Sequence, residues 1–69
     1  MTTIGQILRD ARHAAGITQS ELSKRAGISQ GKVSEYEADQ KCPSIMRVKQ
    51  IADALGVKLS RLVKPLDEE

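Results

Sequence analysis

Thr18-Gln-Ser-Glu-Leu-Ser-Lys-Arg-Ala-Gly-Ile-Ser-Gln-Gly-Lys-Val-Ser-Glu-Tyr-Glu37 is the stretch that decides the fold. Thr18 and Glu21 stand three apart in a Thr-x-x-Glu capping box, where hydroxyl and carboxylate each satisfy an orphan backbone N–H. Leu22 and Ala26 follow one turn apart on a single apolar face. Gly27 is the residue type that best adopts the left-handed conformation ending a helix. Ile28 is a candidate buried hinge, and Ser29 is a natural cap for a second helix. That helix places Val33, Tyr36 and the stem of Glu37 on one side, and Gly31, Ser34, Glu35 and Ala38 on the other. Helix, glycine turn and capped helix together make the layout of a helix-turn-helix.

Outward from this stretch the pattern stays helical. Ile4, Ile7, Leu8, Ala11, Ala14 and Ala15 repeat at i, i+3, i+4, i+7, an amphipathic helix with Thr2 or Thr3 to cap it and Gly16 just past its end. Arg9, Asp10 and His13 are expected to face water, whereas the stem of Arg12 borders the apolar face. Residues 38–43 have turn composition, Pro43 halts any helix before it, and Ser44 can cap the next. Ile45, Val48, Ile51, Ala52 and Leu55 then predict a fourth helix closed by Gly56. Val57 and Leu59 return to the core, and Leu59, Leu62, Val63 and Leu66 suggest a short fifth helix limited by Pro65. No alternating run bounded by turns argues for a strand, so the expected class is all-α.

Composition sets the limits. Sixty-nine residues make one small domain, and with no Phe or Trp and one Tyr its core must come from Ile, Leu, Val and Ala. Such domains are usually only a few kcal/mol stable, so dimerisation often helps. Cys42 is the sole cysteine, which rules out an internal disulfide. There is no signal-peptide pattern, and no apolar run reaches the roughly 18–20 residues that span a bilayer. A reducing, cytoplasmic setting is the simplest expectation. Through Leu66 the chain carries eleven Lys and Arg against six Asp and Glu, a balance of +5, before Asp67, Glu68 and Glu69 subtract three. A basic body with a short acidic tail suits a polyanionic partner, though small solvated domains often carry such an excess by chance.

Catalysis finds no footing. Metal binding needs several convergent ligands, and one His and one Cys do not supply them. A nucleophile–histidine site would have to use His13, and no nucleophile turn lies near it; the glycines form no phosphate loop. The expectation is a binding module without metal, cofactor or small-molecule ligand.

From Ile7 to Leu62 the chain resembles the helix-turn-helix family of lambda-type phage repressors and Cro proteins, also called the xenobiotic-response-element family. The resemblance rests on Arg12 with Gly16, Thr18-Gln-Ser-Glu-Leu22, Ala26-Gly27-Ile28-Ser29, Val33-Ser34, Glu37, Pro43-Ser44, the run Ile51 to Val57, and Leu62. It implies a five-helix, lambda-repressor-like domain over residues 1–66, with the helix-turn-helix at about 18–37 and an acidic tail at 67–69. It implies double-stranded DNA as partner, the third helix in the major groove, and the second across the backbone.

Carried over residue by residue, Gln19 is expected to bond a phosphate and support the recognition helix; the alternative is an exposed first-turn residue. Ser29 caps the third helix and is placed to meet a phosphate. Gln30 is the leading base reader, since glutamine can bond adenine N6 and N7 together. Lys32 can reach a phosphate or a guanine, unless it is simply solvated. Gly31, which costs roughly 0.5–1 kcal/mol against Ala, makes with Ser34 and Ala38 a small-residue stripe that would let the helix approach the bases closely. Glu35 opposes a polyanion, and its compensation would be accepting from cytosine N4. Lys41 is the basic residue of the following loop, and Asp39 stands where the family commonly has Gly. The resemblance also implies an ion pair between Arg12 and Glu37, and a homodimer through Leu59, Leu62, Val63 and Leu66, whose alternative role is closing the monomer core. Repressor, restriction–modification controller, antitoxin and an interaction module without DNA binding are the functional alternatives.

Overall fold

The computed structural model describes residues 2–62. It contains α1 (Ile4–Ala14), α2 (Gln19–Ala26), α3 (Gln30–Glu37) and α4 (Ile45–Leu55), and the chain turns helical again over residues 59–62. No strand occurs among the described residues, and the architecture is the all-α, five-helix one.

Each of α1 to α4 begins on a hydroxyl side chain. Thr3, Thr18, Ser29 and Ser44 are the N-caps, accepting from the backbone N–H of Gln6, Glu21, Lys32 and Arg47 respectively. At α2 the box is reciprocal: the Thr18 N–H donates to Glu21 Oε1 at 2.9 Å. That bond is the main reason the Glu21 carboxyl lies below its usual range. Thr3 and Gln6 form a second capping box at α1. The α2–α3 turn closes on Gly27, at φ 71°, where a Cβ would be strained. Ile28 then enters the core with its N–H bonded to the Ser23 carbonyl at 3.1 Å.

The core is Leu8, Ile17, Leu22, Ile28, Val33, Tyr36, Val48, Ile51, Ala52 and Leu62. α3 packs against both α1 and α2, and α4 against α2 and α1. Three sequence expectations change here. Ile45 is 59% exposed, because the first residue of α4 precedes the helix's contact with the body, and Met46 beside it is 74% exposed. Ala14 and Ala15 are exposed, on the rim of an open groove that α1 shares with Leu55, Val57 and Arg61. Arg12 is buried outright rather than bordering the apolar face.

Candidate nucleic-acid interface

α3 divides cleanly along its length. Val33, Tyr36 and Glu37 are buried, while Gln30, Gly31, Ser34 and the C-capping Ala38 are exposed, with Lys32 and Glu35 intermediate. The predicted contact residues of this helix therefore share its outward side. A Cβ built on Gly31 would meet nothing within 4 Å, so the small-residue stripe opens onto free space. Ser29, exposed at the head of the helix, is occupied as its cap, accepting from the Lys32 N–H at 3.2 Å.

The end of α3 is closed by Asp39, at φ 60°, the one described non-glycine residue with positive φ. An aspartate tolerates this conformation better than most side chains. Here its carboxylate is also engaged: Oδ1 accepts from the Gly5 N–H at 3.0 Å and Oδ2 from the Thr3 hydroxyl at 2.6 Å. The loop is thus pinned to the start of α1. The Glu35 carbonyl accepts from the N–H groups of Gln40, at 2.9 Å, and Lys41, at 3.4 Å, which folds exposed Lys41 back over the last turn of α3. Gly5 permits this docking. A Cβ there would lie 2.6 Å from the Tyr36 carbonyl oxygen and 2.8 Å from that of Glu37. A glycine inside an otherwise helical pattern was the available sequence signal for this approach. The partner of Asp39 left no signal.

Behind the outward side lies a buried polar knot. Arg12 Nε donates to Glu37 Oε2 at 2.7 Å and its Nη2 to Oε1 at 3.0 Å, while Nη1 donates to the Ile17 carbonyl at 3.0 Å. Arg12 and Glu37 are 8% and 6% exposed. Gln19, at the first position of α2, donates its amide N–H to Glu37 Oε1 at 3.1 Å. Burial pushes the Glu37 carboxyl up, but the bonds from Arg12 and Gln19 and the Arg12 charge outweigh it, and the group sits below the usual carboxylate range. The bond to Glu37 raises the Arg12 guanidinium, against the opposing effect of burial. Among the described residues no buried side-chain nitrogen or oxygen lacks a partner. One knot joins α1, α2 and α3.

Of the residues expected at a dimer interface, Leu62 is 2% exposed and belongs to the core, so it closes the monomer, the alternative role open to it. Leu59 is partly buried against that core. Val63, Leu66 and the acidic tail lie outside the described residues. No helix of the described residues is long and apolar enough to cross a membrane, and no group of three or more potential metal ligands occurs among them.

A capped helix-turn-helix with a polar outward helix on an all-α body defines a DNA-binding regulator of the lambda-repressor-like class. The chain belongs to the helix-turn-helix family, whose model matches residues 8–62. It is 35% identical over 65 residues to an uncharacterised HTH-type transcriptional regulator of Sinorhizobium fredii, covering 94% of this chain and 84% of that one. It is 31% identical over 61 residues to the immunity repressor of Bacillus phage phi105, covering 88% of this chain but 42% of the repressor. Among solved structures it resembles the restriction–modification controller protein C.AhdI from Aeromonas hydrophila (TM-score 0.83, 30% identity, 86% of each chain). It also resembles SinR, a master regulator for biofilm formation, in complex with DNA (TM-score 0.82, 29% identity, 88% of this chain and 98% of SinR).

Proposed function

We propose that the chain is a transcriptional repressor that binds a two-fold operator as a homodimer, with α3 in the major groove. The observation that carries this is the outward side of α3: Gln30, Gly31 and Ser34 exposed, Lys32 and Glu35 partly exposed, and no core residue among them. Gln30 reads a base edge, Lys32 reaches a guanine or a phosphate, and Glu35 accepts from cytosine N4. Gln19, Ser29 and Lys41 meet the phosphate backbone and fix the register, with Gly31 and Ser34 setting the depth of approach. The likeness to a phage immunity repressor and to a DNA-bound regulator supports the reading.

Dimerisation brings the half-sites to about one helical turn apart, ~10 bp. Leu59, with Val63 and Leu66, serves that contact. An open groove of about 530 Å³ beside Leu62 supports it, its walls including Ile7, Ala14, Leu55 and Val57 with Asp10 and Arg61. Those two opposite charges suit a self-complementary contact across a two-fold axis. A second reading, a restriction–modification controller, is favoured by the likeness to C.AhdI along most of both chains.

Affinity selection on random duplexes at two salt concentrations tests the proposal. An enriched palindrome, with affinity falling steeply as salt rises, is the expected result. Failure to enrich any sequence refutes it and leaves the interaction module.

A further inference from the structure

The Arg12–Glu37 pair is complete without Gln19: the guanidinium contacts both carboxylate oxygens, at 2.7 and 3.0 Å. Gln19 nevertheless adds a third bond at 3.1 Å, from the opening residue of α2 onto the last residue of α3. A carboxylate held by arginine only accepts, so it selects one orientation of the neighbouring amide. The nitrogen must face Glu37, because the reverse orientation sets the amide carbonyl against an anion. Gln19 is half-buried, and its amide nitrogen carries a second N–H that the bond to Glu37 does not use. A fixed N–H donor is what an anion meets favourably, and a carbonyl in its place would repel one.

We propose that Glu37, held by Arg12, is a positioning residue for DNA binding: it locks the Gln19 amide nitrogen-inward, so that the remaining N–H donates to a backbone phosphate. This rests on the reading that the α2–α3 surface meets DNA. It gives the buried pair a second role besides stability. A carboxylate behind the interface touches no nucleotide, yet it sets the polarity of a group that does.

A phosphate contact carries no sequence information, so a mixed-sequence duplex of about 20 bp at about 50 mM salt is a sufficient probe. Gln19→Met keeps the stem and removes the amide; affinity is expected to fall about three- to tenfold. Glu37→Gln lets the amide at 19 turn either way; it is expected to weaken binding similarly in the native background and to change nothing further when Gln19→Met is present. A purely structural role for Glu37 predicts multiplicative losses, and that result overturns the inference. If Glu37→Gln does not fold, the native protein decides by NMR. One Gln19 side-chain amide proton should be protected by Glu37, and the other should shift on titration with the duplex. An unshifted pair overturns the inference. A native chain with no salt-dependent binding overturns the DNA reading itself, and is distinguished by failing before any variant is made.

Discussion

Arg12 and Glu37 face each other across the α1–α3 contact with two hydrogen bonds, of 2.7 and 3.0 Å, and almost no solvent. Removing two charges from water costs several kcal/mol each, and only close geometry with further hydrogen bonds to the pair's other polar atoms recovers it. The contact meets that condition through Arg12 Nη1 on the Ile17 carbonyl and Gln19 on Glu37. Truncating one partner strands the other, so Arg12→Met or Glu37→Leu alone should cost about 3–5 kcal/mol in urea unfolding. The double replacement should recover most of the loss, because two apolar groups of similar volume leave no orphan charge. A coupling energy of zero in the double-mutant cycle would show the pair to be incidental.

The same contact sets the acid limit of stability. Folding lowers the Glu37 pKa despite burial, and the unfolded carboxyl titrates near about 4.3. The folded state therefore favours the anion: its contribution is fully present above the unfolded pKa and is lost as pH falls through the folded one. The melting temperature should be flat from about pH 5 upward and should drop below about pH 4.5. Glu37→Gln should start lower and fall less steeply. Glu21, lowered by the Thr18 N–H, adds a parallel contribution at the surface, so Glu21→Gln should also flatten the profile. An unchanged acid slope in both variants would assign the loss to other carboxylates.

Two glycines should respond in opposite senses to one methyl group. At Gly5 the new Cβ would sit within 3 Å of two backbone carbonyls in the last turn of α3, which cannot swing aside as a side chain can. Gly5→Ala should cost about 1–3 kcal/mol, the range for overpacking. Gly31 is the second residue of α3, with nothing near its Cβ position, so Gly31→Ala should stabilise by about 0.4–1 kcal/mol through the unfolded chain. Denaturant midpoints measure both. If Gly31 gives the helix its close approach to base edges, the more stable variant should also bind its selected duplex less tightly.

What the sequence made legible was local. Thr18, Glu21, Gly27 and Ser29 act within four residues of where they stand, so the caps and the turn are readable from spacing alone. The outward side of α3 followed from the same periodicity. Contacts between distant segments were not readable from spacing: the Arg12–Glu37 pair was anticipated only through the family resemblance, and the hold of Asp39 on α1 not at all. Asp39 looked like an awkward substitute for glycine in a DNA-facing loop, and only the packing of α1 shows that its carboxylate holds the Gly5 N–H. Ile45 and Leu62 both extend apolar repeats, yet one is exposed and the other is core, because burial depends on where the helix meets the body. Periodicity fixes a face; it does not say how far along its length that face is covered.

Base reading and backbone anchoring should separate experimentally on either side of α3's outward end. Gln30 is exposed in the first turn of the helix, and its amide can bond adenine twice. Once a duplex has been selected, Gln30→Ala should cost about 1–3 kcal/mol on that duplex and relax preference at one position per half-site. Lys41, exposed with its backbone tied to the Glu35 carbonyl, should behave differently. Lys41→Ala should weaken binding to all duplexes alike and reduce the slope of log affinity against log salt by about 1 for each chain bound. Fluorescence anisotropy over a salt series, on the selected duplex and on a scrambled one, reads both quantities. If the two variants gave the same pattern, the division of α3 and its loop into a reader and an anchor would be wrong.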